Sequence, residues 1–329
     1  MGIPVSTLKV AIGRESTSAW GSDVAQTVKL MGVNEFTINP GVTIQQIEDI
    51  RGTREPSHMS VVPRIAPTAT LKSLLLYEDL PFWLDSLVNH AVKTGDSTSA
   101  GWTRVYYAPK QSSDSENFSS YTMAYGDATN IFALRGATVQ SLTISGETGQ
   151  PGEVSVDLPG KIVTTDTFDS TADRSVNPIM GADWSLWIDP GSDAVGTSQI
   201  SRTAFSFELN LNRGGNLLRH LGSRTPDTVQ HGRMTGDLRL VLELSSDTEP
   251  YLDSLVSATQ KGIEKNVRLK STNASTNELT IDFCGVILGE PTVFGDVDGV
   301  TTVDFTLSGT KTADSDWFRI TVLNNSSNF

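Results

Sequence analysis

"PFWLDSLV" (Pro81–Val88) and "PYLDSLV" (Pro250–Val256) place one pentapeptide, LDSLV, twice in a chain of 329 residues, 168 positions apart. In each copy a proline precedes apolar residues at i, i+3 and i+4: Leu84, Leu87 and Val88, then Leu252, Leu255 and Val256. That spacing predicts a short helix with one apolar stripe, laid on a sheet. Asp247 or Thr248 can cap the second copy and Lys261-Gly262 can end it, while Lys93–Gly95 supplies the stop in the first.

The match extends outward from the pentapeptide. Upstream, "RGTREP" (Arg51–Pro56) faces "LGSRTP" (Leu221–Pro226), so that Gly52, Arg54 and Pro56 meet Gly222, Arg224 and Pro226. Further upstream "FTIN" (Phe36–Asn39) faces "FELN" (Phe207–Asn210). Downstream, Gly136 faces Gly285, and one offset of 149 pairs Val154 with Val303, Val156 with Phe305, Leu158 with Leu307 and Gly160 with Gly309. Offsets of 171, 170, 168 and 149 in unbroken order are those of a tandem duplication with an insertion in its first copy. The serine-rich stretch "APKQSSDSENFSSYTMAYGD" (Ala108–Asp127) is the expected inserted loop. The expected division is an N-terminal arm over 1–29, a first unit over 30–165, a linker and leading strand over 166–199, a second unit over 200–312, and a C-terminal strand or tail over 313–329.

Each unit reads as mainly β. "RTAFSFELNLN" alternates Phe205, Phe207, Leu209 and Leu211 with Ser206, Glu208 and Asn210, and "MTGDLRLVLEL" puts Leu238, Leu240 and Leu242 on one side. Each unit closes on a hairpin with an acidic, glycine-bearing turn. The fold expected is two tandem β-sandwich or partial-barrel units, each flanked by one α-helix.

Composition narrows the function classes. Hydrophobic residues are 37% and charged residues 19%, and the net charge is −13, so the clustered Lys/Arg surface of a nucleic-acid grip is not expected. The single cysteine, Cys284, sits in a strand-like run and reads as a small buried hydrophobe. No signal peptide and no membrane-spanning stretch is expected, and synthesis in a cytoplasm follows.

A search for chemistry yields no catalytic, cofactor or metal site. His58, His90, His220 and His231 form no metal spacing, and GxSxG, Walker and GxGxxG signatures are absent. His90 reads as a surface residue and "RGG" (Arg213–Gly215) as a turn. "GDVDGVTTVD" (Gly295–Asp304) hints at calcium but lacks a third acid and a terminal glutamate, whereas Asp-Gly favours a hairpin turn. Arg54 and Arg224 stand at matching positions, which argues for a role in fixing a loop or an assembly contact. No enzyme is expected.

The opening "VAIGRESTSAWGS" (Val10–Ser22), with Glu15 and Trp20, resembles the Gly-x-Glu-x-x-x-x-(aromatic)-Gly opening of tail tube (major tail) proteins of long-tailed, siphovirus-like bacteriophages. The "RGTREP" loop, the helix after it, the hairpin "LRGATVQSLTIS…GEVSVDLPGK" and their second-half counterparts resemble the body of the same proteins. The resemblance implies a virion structural protein that polymerises into stacked rings enclosing a channel for DNA. It implies partners in further copies of the chain, a tape measure protein, a tail terminator and a distal tail protein. Tube proteins with one unit per chain form six-membered rings, so a fused pair implies a trimeric, pseudo-hexameric ring. Three chains give a ring charge of about −39, and an acidic wall lets DNA slide without sticking. Glu153, Asp157, Asp237 and Asp304, on the polar positions of alternating strands, are the expected lumen acids. A glycan- or receptor-binding β-sandwich of a tail tip is the alternative, although the six tryptophans form no matched cluster.

Overall fold

A computed structural model describes residues 7–16, 20–47, 59–96, 101–108, 117–127, 129–169, 171–200, 203–230, 232–246, 248–249, 264–274, 276–310 and 316–326. In the first half the strands are β1 (Lys9–Arg14), β2 (Val28–Lys29), β3 (Val33–Asn39), β4 (Val42–Ile47), β5 (Met59–Ile65) and β6 (Thr68–Leu74). Helix α1 (Leu80–Leu87) follows, then β7 (Thr94–Asp96), β8 (Gly101–Tyr107), β9 (Tyr121–Gly126), β10 (Ile131–Ala137), β11 (Ser141–Glu147), β12 (Glu153–Pro159) and β13 (Ile162–Thr165). The second half holds β14 (Trp184–Pro190), β15 (Gln199–Ile200), β16 (Ala204–Asn212), β17 (Asn216–Leu218), β18 (Thr228–Gln230) and β19 (Thr235–Glu243). It ends with β20 (Glu264–Ala274), β21 (Asn277–Val297), β22 (Val300–Gly309) and β23 (Phe318–Asn324).

The mainly-β expectation holds, and the two halves repeat one plan. In the first, an inner run of strands is ordered β3-β6-β12-β11; in the second it is β16-β19-β22-β21. The outer runs are β2-β1-β9-β10-β13 and, through the long strands β21 and β22, β15-β14-β20-β21-β22. Registers agree along the first three inner strands of each half, and β21 then departs from β11 by bulges. Phe36 pairs Leu71 and Leu71 pairs Val156, while Phe207 pairs Leu240 and Leu240 pairs Phe305. These rows stand 171, 169 and 149 positions apart, within the falling series of offsets that the sequence shows. In both halves a two-stranded hairpin follows the first inner strand, β4–β5 and β17–β18.

The two halves share one sheet. Strand β11 pairs antiparallel with β16, Ile144 opposite Leu209, so eight inner strands form one uninterrupted run from β3 to β21. A single hydrophobic cluster passes through both halves behind it. Burial alternates along most of the inner strands, as in Thr235–Glu243 with Leu238, Leu240 and Leu242 inward.

Helix α1 explains its repeated phrase. Pro81 suits the first turn, where no intrahelical donor is needed, and all eight residues are buried. Full burial of Leu80, Phe82, Trp83, Leu84 and Leu87 contributes roughly 1.5–3 kcal/mol each. The polar residues of the phrase are structural too. Ser86 Oγ accepts from the Val139 amide at 2.9 Å, and Asp85 accepts from the Tyr106 hydroxyl at 2.8 Å. The helix ends at Leu87, short of the expected stop at Lys93–Gly95: the His90 amide donates to Asn117 O at 2.7 Å, and Thr94–Asp96 is strand β7. The second LDSLV phrase and its flanks lie outside the described residues.

Two further expectations meet a different structure. Within the segment expected as an arm, β1 lies inside the outer sheet, between β2 and β9. Its place corresponds to that of β14 in the second half, which lies between β15 and β20. Within the expected inserted loop, Tyr121–Gly126 is strand β9, because Tyr121 and Met123 bury their side chains beneath a serine-rich approach. At the other end β23 pairs with both β21 and β8, stitching the C-terminal segment to the first half.

Candidate functional site

The inner run of eight strands has one polar face, and antiparallel pairing fixes which residues share it, since directly opposed residues point the same way. Glu153 opposes Ser145, Ser145 opposes Glu208, and Glu208 opposes Arg239. Asp157 opposes Ser141, Asn210 opposes Asp237, and Asp304 opposes Val241. Glu153, Asp157, Asp237 and Asp304, drawn from both halves, therefore stand on the same side. That side also carries Glu35, Glu147, Glu208 and Glu243, and the cations of these strands on it are Lys72 and Arg239.

The cations are spoken for. Arg239 reaches Asp304 with Nε at 3.0 Å from Oδ1, and this hydrogen bond and the Asp304 charge raise its pKa further. Lys72 lies 3.5 Å from Glu35. Asp304 is thus a partly neutralised acid, whereas Glu153, Asp157 and Asp237 form no ion pair among the described residues. Such a surface repels polyanions and offers no phosphate clamp.

A second constellation fixes the N-terminal segment. Glu15 is buried, and its carboxyl group receives four hydrogen bonds: from the Gly21 amide (2.7 Å) and Ser120 hydroxyl (2.8 Å) on Oε2, and from the Gly136 amide (2.7 Å) and Thr122 hydroxyl (3.0 Å) on Oε1. Trp20 Nε1 donates to the carbonyl of the same Gly136 at 3.0 Å. Gly136 has φ +69°, and a Cβ there would lie 3.0 Å from the Trp20 ring, so both conformation and space call for glycine. Lys161 closes the group, its Nζ 5.2 Å from the Trp20 ring centroid and donating to Trp20 O at 3.2 Å. Two motifs far apart in sequence, Glu15…Trp20-Gly21 and Leu134-Arg135-Gly136, are one structural unit.

The remaining expected residues separate. Arg54 lies outside the described residues. Arg224 has an exposed side chain, and the contact it makes is through its carbonyl, which accepts from the Ile65 amide at 2.9 Å. Its neighbour Arg219 donates to Ile65 O at 3.0 Å, so this loop of the second half leans on hairpin β4–β5 of the first. That hairpin exposes Val42, Ile44, Ile47, Met59 and Val61, an apolar ribbon of the kind a partner covers.

Three residues with structural work carried no recognisable signal. Arg213, in the "RGG" turn, is buried, donates to Ser86 O at 3.0 Å and Val139 O at 3.3 Å, and stacks 4.1 Å from the Phe118 ring. It clamps the second half onto α1. His90, expected at the surface, is half-buried with Nδ1 2.7 Å from Asp85 Oδ2. Asp189 is buried at the end of β14 and accepts from the amides of Gly196 (2.6 Å) and Ser198 (2.7 Å) and from the Thr197 hydroxyl. Burial works against its charged form, but the Thr197 hydroxyl and the three amides of 196–198 outweigh it and hold the carboxyl below the ordinary range.

Other features settle on structural readings. Asp298 and Gly299 both take left-handed conformations (φ 52° and 79°) and form the tight hairpin between β21 and β22 where calcium had been considered. No cluster of three or more His, Cys, Asp or Glu side chains able to hold a metal occurs among the described residues. Cys284 is buried, as its strand-like setting implies. None of the six tryptophans is exposed; each is half-buried or buried. Among the described residues no helix is long and apolar enough to cross a membrane.

A protein-family model described as phage tail tube protein matches residues 6–313. No curated protein matches the chain.

Proposed function

Because the chain belongs to the phage tail tube protein family, a structural component of the virion tail, we propose that three copies close into a pseudo-hexameric ring and that stacked rings enclose an acidic channel for DNA. The carrying observation is the uninterrupted eight-strand inner run, four strands from each half, polar and acid-rich on one face. Twenty-four such strands at about 4.8 Å spacing and about 40° tilt close a barrel about 48 Å across at the backbone, wider than a DNA duplex after side chains are added. Closure also removes the free strand edges that would otherwise aggregate.

The shared inner strand order, with matching register over the first three inner strands of each half, supports a tandem duplication. The equivalence of β1 with β14 extends each unit toward its N-terminus, so that residues 7–29 belong to the first unit as 184–200 belong to the second. The polar face is the lumen in this reading, with Glu153, Asp157 and Asp237 as its free acids. The exposed apolar hairpin β4–β5 is the contact between stacked rings, and tape measure, terminator and distal tail proteins meet the tube at its lumen and ends. Glu15 and Trp20 fix the first unit's fold, and the Arg224 loop supports the hairpin.

Negative-stain microscopy of the purified protein tests the reading. Threefold annuli or tubes with a central hole are expected; a persistent globular monomer at high concentration overturns it.

A further inference from the structure

The two halves of one chain are joined edge to edge, and the chain's own free edges carry the same residues that make that joint. At the internal seam β11 meets β16 with Thr143 opposite Asn210, Ile144 opposite Leu209 and Gly146 opposite Phe207. Thr143 Oγ1 donates to Asn210 Oδ1 at 2.7 Å across the seam. A Cβ on Gly146 would lie 2.4 Å from Phe207 Cε1, so the ring occupies the space the glycine leaves.

The offsets of 149 and 171 carry these six positions to residues Thr292, Val293 and Gly295 on β21 and Asn39, Ile38 and Phe36 on β3. All six keep their character: threonine, aliphatic and glycine on one strand, asparagine, aliphatic and phenylalanine on the other. Strand β3 pairs only with β6, and residues 292–297 of β21 pair only with β22 among the described residues, so each has an open side. Phe294, 78% exposed in a left-handed conformation, marks a bulge on the open edge, and an exposed aromatic at a free strand is a surface that pairing would cover.

We propose that the subunit–subunit seam copies the internal seam in this register: β21 of one copy lies antiparallel to β3 of the next, with Thr292 opposite Asn39 and Val293 opposite Ile38, the bulge at Phe294 ending the copied register before Gly295. This rests on the ring reading above and adds the residues that close it. Asn39 Oδ1 already accepts from the Gly41 amide at 2.9 Å, which leaves its NH2 group for the Thr292 hydroxyl oxygen. Opposed residues of an antiparallel pair have Cβ atoms about 4.5–5.5 Å apart, close enough for a disulfide after a small adjustment.

The test is oxidative cross-linking of the assembled protein carrying Thr292→Cys with Asn39→Cys, Cys284 being buried. Non-reducing gels should show the monomer band replaced by dimer and closed trimer. A one-to-one mixture of the two single variants should stop at dimer, since each chain then offers one thiol. Thr292→Cys with Glu35→Cys, four residues out of register, should stay monomeric on the same gel. Thr143→Cys with Asn210→Cys should close within one chain as a positive control. Rings seen by microscopy with no in-register cross-link, or with the Glu35 pair linking instead, would overturn the register while leaving the ring intact. No rings and no cross-link would overturn both.

Discussion

Replacing Glu15 by alanine strikes the point where the opening motif meets the body of the first unit. Four donors lose their acceptor together. The Ser120 and Thr122 hydroxyls can rotate, and Thr122 already has Ser22 O within 3.2 Å. The Gly21 and Gly136 amides cannot turn away. A buried amide left unpaired costs about 1–3 kcal/mol, so Glu15→Ala should destabilise the subunit by about 2–6 kcal/mol. Glu15→Gln keeps the shape and one acceptor oxygen, but it turns an NH2 group toward one of the two amides, and about 1–3 kcal/mol should go. Trp20→Phe removes the donor to the Gly136 carbonyl and should cost about 1 kcal/mol. Since Glu15 and Trp20 hold the N–H and the C=O of one residue, Gly136, the double variant should depart from additivity by about 0.5–3 kcal/mol. Urea unfolding of the dilute, unassembled subunit, followed by tryptophan fluorescence, gives all four numbers. A Glu15→Ala loss under about 1 kcal/mol, or perfect additivity with Trp20→Phe, would refute the assignment.

Three more outcomes are expected. Arg213→Lys keeps the charge but loses the planar stack on Phe118 and a fork of donors, so it should lower stability by about 1–3 kcal/mol in the same assay. Asp189 has a folded pKa below its unfolded value, so its stabilisation is full above the ordinary carboxylate range and disappears as pH falls through the folded value; Asp189→Asn should flatten the acid limb of a stability-versus-pH curve measured between about pH 2 and 5. Reversing two acids of the proposed lumen, Asp157→Lys with Asp237→Lys, should leave tube assembly intact but slow DNA release from purified particles at low salt, with recovery as salt is raised.

The fold was legible in the sequence where geometry is local. Alternation along 204–212 and 235–243, the proline-led phrase at 81–88 and the collinear glycines translate directly into strands, helix and repeated register. What escaped was non-local. Nothing in the alternation of Ile144 or Leu209 says whether its edge faces solvent or another strand, so the pairing that runs one sheet through both units is not legible there. Arg213 looked like part of a turn because its partners, Ser86 and Val139, lie far back in the chain. Strand β9 was hidden by the serines before it. Of the candidate site, the acids came from period-two positions and do share one face. The pairing of Asp304 with Arg239, however, depends on a neighbouring strand that spacing alone cannot supply.

The hairpins that follow the first inner strand differ between the halves. One runs from Val42 to Ile65 with an apolar, exposed surface; the other runs from Asn216 to Gln230 and is shorter. In the proposed ring of three chains, long and short projections would alternate, so the next ring would seat at three azimuths and be rejected at the three between. A six-membered ring of identical units would accept all six. In the three-chain ring, two units per chain would key the stack: they would set a rotational phase that every later ring inherits and offer the ends of the tube a three-toothed coupling.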